Sequence, residues 1–174
     1  MAKLRDASAY RRLKIPYTRR SRVKSKSYIK SIPHNKIVRY VLGNKSKKFQ
    51  YRVDLISKDS MNLRHNAIEA GRKAASNYLQ KELGLENYRV QVKTHPHHIL
   101  RENPLATGAG ADRFSTGMQK AFGKPIGLAS RVKEGKILTS VFVDNKYIKN
   151  AKIALKKMSH KYPMKTSIDI IKIE

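Results

Sequence analysis

The pattern of apolar and polar positions divides the chain near Pro33. Between Met1 and Pro33 apolar residues such as Leu4, Ile15, Val23, Ile29 and Ile32 are too sparse and irregular to line one face of a helix or strand. Pro16 and Pro33 interrupt any regular continuation. Residues 1–33 therefore read as an extension that orders on a partner, and residues 34–174 as a single domain. Beyond Pro33, residues 37–42 and the alternating run Phe49, Tyr51, Val53, Leu55 predict two strands, joined as a hairpin through Gly43 and Asn44. From Leu63 to Leu83 the positions Ala67, Gly71, Ala74 and Tyr78, flanked by Ile68, Ala75 and Leu79, make a helical stripe. Glu69, Arg72, Lys73, Asn77 and Lys81 are expected to face away from it. The stripe is rich in Ala and Gly, which predicts close approach to a sheet.

Residues 88–94 alternate again, and Ile99-Leu100 continues the strand pattern after His95-Pro96. Leu128 to Val132 and Ile137 to Val143 predict two further strands around Glu134-Gly135-Lys136. Asp144 or Asn145 is placed to cap a second helix whose stripe is Ile148, Ala151, Leu155, Met158 and Tyr162, and whose lysines read as a solvated face. Pro163 ends it, and residues 167–173 form a last strand. Two helices among antiparallel-type strands predict an α+β, two-layer sandwich.

Charge changes the picture most. The 174 residues hold 39 Lys and Arg against 12 Asp and Glu, a net charge of +27. Within residues 1–50 there are 16 Lys and Arg and a single acid, Asp6. Such an imbalance points to a polyanionic partner, with nucleic acid ahead of an anionic membrane surface. The absence of cysteine excludes disulfides, thiolate metal sites and thiol catalysis. The apolar runs are too short for a membrane span, and the basic start does not resemble a signal peptide.

The stretch 101–127 is far longer than an ordinary connection and carries Gly108, Gly110, Gly117, Gly123, Gly127, Pro104 and Pro125. Asp112 is placed to cap a short helix through Phe114, Met118 and Ala121, leaving Arg113, Lys120 and Lys124 to meet phosphates. Enzyme signatures fail on spacing. Gly117 to Lys124 has five residues between its glycines where a P-loop has four, and Pro125 replaces the magnesium-binding hydroxyl. Gly108-Ala109-Gly110 begins a dinucleotide pattern that Arg113 breaks. His95, His97 and His98 lack further ligands for a metal, and Glu102 and Asp112 have nothing that pairs them as acid and base.

The run Ala111-Asp112-Arg113, Gly117-Met118, Ala121-Phe122-Gly123-Lys124-Pro125 and Gly127 resembles the signature of the ribosomal protein ten-e family. These are the archaeal and eukaryotic counterparts of bacterial large-subunit protein sixteen. Tyr10 to Lys14, Pro16 to Arg20 and His95-Pro96 are similar to the archaeal branch, so the likeness spans the chain. Gln119 and Ile15 depart from it where the family carries a basic residue. The resemblance implies a hammerhead-type sandwich without catalytic activity or cofactor. It also implies a cytoplasmic place in the large subunit, between large-subunit rRNA and 5S rRNA beside the aminoacyl-tRNA and neighbouring proteins. By motif position, Arg101, Gly108, Gly110, Asp112 and Arg113 would belong to a loop reaching toward the peptidyl transferase centre.

Charge adds the RNA contacts expected of the extension: Arg5, Arg11, Arg12, Lys14, Arg19, Arg20, Arg22, Lys24 and Lys26 on phosphates. Tyr10, Tyr17 and Tyr28 either stack on unpaired bases or pack on the body. A DNA-compacting protein and an RNA-modifying enzyme are the competing classes. The first lacks a helix-turn-helix or finger pattern, and the second lacks a convincing catalytic set.

Overall fold

The computed structural model describes residues 6–11, 13, 23, 25, 29–103, 109–110 and 123–173. Among the described residues, eight strands and two α-helices follow in the order β1 (Val41–Gly43), β2 (Tyr51–Ser57), β3 (Met61–Arg64), α1 (His65–Leu83), β4 (Tyr88–Val92), β5 (His98–Glu102), β6 (Lys124–Val132), β7 (Ile137–Val143), α2 (Ile148–Ser159) and β8 (Thr166–Lys172). The strands form a five-stranded sheet, β1-β4-β7-β2-β8, and a three-stranded sheet, β3-β6-β5. All neighbours pair antiparallel. The α+β sandwich is thus present, with α1 and α2 packed on each other and on one face of the larger sheet. Alternation sends Val53, Leu55, Val90, Val92, Val141 and Val143 to that face, where they join Ile68, Ala75, Leu79, Leu155 and Met158 in the main core.

The expected hairpin between β1 and β2 does not form. β1 lies at the far edge, on β4, while β2 sits between β7 and β8. The signals behind that expectation have other causes. Gly43 adopts a φ of +82°, and a Cβ there would meet the Tyr88 carbonyl oxygen at 2.1 Å, so this glycine permits close approach to β4. Asn44 accepts the Ser46 and Lys47 amides at 3.0 and 3.1 Å, closing a local side-chain turn. Similarly, β6 and β7 flank the Gly135 turn yet belong to different sheets. Leu63 and Arg64, read as the start of the helix, instead end β3, which pairs with β6.

The buried face of α1 is rotated from the expected stripe. Ala67, Ala74 and Tyr78 are half-buried, whereas Glu69 and Arg72 are only 7% exposed each. They are buried because they pair: Arg72 donates to both Glu69 carboxylate oxygens at 2.7 and 2.6 Å. This contact, aided by the Val38 amide, holds Glu69 below the usual carboxylate range. The Lys36 amide donates to His65 Nδ1 at 3.4 Å. Residues 34–40 are thus strapped across α1, with Ile37 in the core. The small-residue face meets α2 rather than a sheet: a Cβ on Gly71 would lie 2.9 Å from both Met158 Cγ and Tyr162 Cε1. Asp144 does not cap α2 through its side chain. Its carboxylate instead takes Lys47 Nζ at 2.9 Å.

Two tests follow from this packing. Gly71→Val should overpack the α1–α2 contact and cost about 1–3 kcal/mol, read as a lower denaturation midpoint. A midpoint equal to that of the unmodified chain would contradict the contact. Burial first, then Lys36, Arg64 and His34, holds His65 below the ordinary 6.5. The unfolded chain therefore binds the proton at a higher pH than the folded one, so stability is complete above about pH 6.5 and declines as pH falls below it. His95 and His98 are shifted in the same direction. Urea melts at about pH 7.5 and pH 5.5 should show the decline, and His65→Gln should flatten part of it; no flattening would contradict the assignment to His65.

Candidate nucleic-acid interface

Even if every acid paired with a separate cation, 27 cations would remain unmatched. Several of the few acids are committed to structural joints: Asp54 with Arg52 and Ser140, Glu69 with Arg72, and Asp144 with Lys47. The surplus reaches the surface on more than one side. Lys146, Lys149, Lys152, Lys156 and Lys157 on and before α2 are all exposed, opposite the buried Ala151, Ala154, Leu155 and Met158. Lys157 and Lys146 also lie over the Tyr78 and Tyr147 rings, at 3.9 and 4.7 Å. Lysines expected to be solvated are thus partly organised by aromatic neighbours.

The three-stranded sheet is where the extension and the long loop meet the body. Tyr10 is 4% exposed and packs on Leu100 and Ala129. Its carbonyl accepts the Asn62 amide at 2.8 Å, and the Arg64 guanidinium lies 5.6 Å above its ring. Ile29 packs on Ile99 and Leu128. Because side chains alternate along strands, these two anchors grip opposite faces of the same sheet. Arg131 also donates to the Leu13 carbonyl. Of the alternatives for Tyr10, the structure gives packing on the body. Arg11 is exposed beside this anchor. Arg5, Arg12, Lys14, Tyr17, Arg19, Arg20, Arg22, Lys24, Lys26 and Tyr28 lie outside the described residues.

The root of the long loop is strand, not coil. β5 runs to Glu102 and β6 begins at Lys124, so Lys124, Pro125 and Gly127 of the expected loop belong to the sheet, as does Arg101. Pro125 is accommodated at a register shift opposite Arg101. Arg101 is 4% exposed, while Lys124, opposite Glu102, is exposed. Gly123 enters β6 with a φ of +98°, and Gly110 has a φ of +75° with open space around it. Gly108, Asp112, Arg113 and Lys120, with the short helix expected from Asp112, lie outside the described residues.

The histidine cluster forms ring contacts. His95 stacks on Tyr40 and is followed by His97, its neighbour on the same face of the link. Among the described residues no three His, Cys, Asp or Glu side chains are grouped to hold a metal ion. No described helix is long and apolar enough to cross a membrane.

Comparison with known proteins accounts for this combination of basic extension, sandwich and long loop. The family model for ribosomal protein L16p/L10e matches residues 14–169. The large ribosomal subunit protein uL16 of Archaeoglobus fulgidus is 41% identical over 168 residues, covering 97% of this chain and 93% of that protein. The uL16 proteins of Methanococcus aeolicus and Staphylothermus marinus are 41% and 42% identical, covering 96% and 88% of this chain and 94% and 84% of their own lengths. With a match this long on both sides, the chain belongs to the L16p/L10e family of ribosomal proteins.

Proposed function

We propose that the chain is a non-catalytic, structural constituent of the large ribosomal subunit in the cytoplasm. In this reading it binds large-subunit rRNA close to 5S rRNA and the aminoacyl-tRNA site, among neighbouring large-subunit proteins. The loop rooted at Arg101 and Lys124 extends toward the peptidyl transferase centre. The observation that carries the reading is the surplus of 27 cations shared by the extension and a folded body of this family. Large-subunit relatives matched over nearly their whole length support it.

The physical account is counterion release. Each phosphate neutralised by Lys or Arg frees condensed cations, so affinity falls with salt at a slope of roughly −0.7 to −0.9 per contact. The extension supplies Arg5, Arg11, Arg12, Lys14, Arg19, Arg20, Arg22, Lys24 and Lys26, and the loop supplies Arg113, Lys120 and Lys124. Tyr10 and Ile29 act differently: they tether the extension to the three-stranded sheet. Tethering shortens the search of the charged segment for its phosphates. On the loop, Gly108 and Gly110 allow close backbone approach, and Asp112 and Arg113 are the polar groups carried toward the tRNA side.

Replacing Arg11, Arg12, Arg19 and Arg20 with Gln keeps both tethers and removes four charges. The salt slope for rRNA binding should become shallower by about 0.7–0.9 for each phosphate no longer neutralised, with weaker binding at every salt concentration. An unchanged slope would refute the role of the extension. Because the chain has no cysteine, Ala109→Cys offers a unique attachment point for an iron chelate on the loop. Hydroxyl radicals from that position should cut rRNA of the peptidyl transferase centre in assembled subunits. Cuts confined to distant rRNA would contradict the direction assigned to the loop.

A further inference from the structure

The link between β4 and β5 carries rings in succession. Tyr40 and His95 are stacked, with centroids 5.3 Å apart and planes 17° from parallel. His95 and His97 continue at 4.2 Å with a tilt of 36°. The link alternates: Thr94 and Pro96 are buried, while His95 and His97 are exposed. Its first step is fixed from several sides. The Tyr40 hydroxyl accepts the Asn35 side-chain amide at 2.8 Å, and the Tyr40 carbonyl accepts the Val92 amide at 2.8 Å. The Tyr40 ring also packs on the rim of the main core.

Core packing does not account for this arrangement, because its outer rings lie in solvent. Flat rings held in series, with the last one exposed, match what an unpaired nucleobase needs. RNA-binding surfaces take such bases on aromatic side chains, histidine included. Cations are at hand for the adjoining phosphates: Arg39 and Lys45 line, with Tyr40, an open groove of about 480 Å³ along β1.

We propose that Tyr40, His95 and His97 form a base-stacking platform, on which an unpaired base of the partner RNA lies against the exposed face of His97 and extends the ring series. The proposal rests on the rRNA-binding reading above and adds a contact made with a base rather than with phosphate.

The test compares unmodified chain, His97→Ala and His97→Tyr in binding to large-subunit rRNA and in reconstituted subunits, with 2′-hydroxyl acylation of the rRNA as the second readout. His97→Ala should lower affinity by roughly 5- to 150-fold, leave the salt slope unchanged and raise the reactivity of one unpaired nucleotide. His97→Tyr, which restores a ring without the imidazole, should recover both. Equal affinity and unaltered acylation with His97→Ala would overturn the platform. A shallower salt slope with no rescue by Tyr would also overturn it, by making the imidazole a phosphate contact. So would loss of a neighbouring protein from the subunit without any change at a nucleotide. An unmodified chain that failed to bind rRNA would instead remove the reading on which the proposal stands.

Discussion

Electrostatic frustration governs this molecule. With 39 cations and 12 acids, no arrangement of the chain neutralises itself, and folding concentrates the surplus on a compact surface. The fold tolerates this by using its acids as joints. Asp54, fully buried in the five-stranded sheet, accepts Arg52 and Ser140. Glu69 fixes Arg72 and, through the Val38 amide, the strap that crosses α1. Asp59 accepts the Lys165 amide at 2.8 Å, tying the turn after β2 to the segment before β8. These carboxylates secure the body and leave the outer cations to an external polyanion.

The body in turn positions the basic extension and the long loop. The three-stranded sheet is the meeting point. One face receives Tyr10, the other receives Ile29, and the ends of β5 and β6 form the root of the long loop. A segment that gains only a few buried contacts cannot offset much ordering entropy alone, but a tethered segment presents its charges at a defined place. The strap held by His65 and Glu69 does the same for Tyr40, which anchors the ring series at the C-terminal end of β4.

Legibility followed the range of the forces. The α+β class, the second helix and strands β4, β7 and β8 were legible because their apolar periodicity answers directly to burial. Partner choice among strands was not: Gly43-Asn44 carries turn chemistry, and only the tertiary approach of Gly43 to Tyr88 reveals why it is there. The charged residues on α1 misled for a related reason, since Glu69 and Arg72 look solvated singly and are buried as a pair. For the interface, the basic residues and the loop were visible as composition and length. The anchoring of Tyr10, the burial of Arg101 and the ring series through His95 depend on contacts between distant segments, which no local pattern encodes. The family signature in residues 111–127 bridged that gap, because it reports function without passing through geometry.

The most direct measurement is the position of the chain in a sedimentation gradient of cell extract at moderate salt. Comigration with large ribosomal subunits is expected, with release toward the top of the gradient as salt is raised. A chain that stays with free protein at moderate salt, while intact large subunits sediment without it, would contradict the claim that ribosomal RNA neutralises its surplus charge.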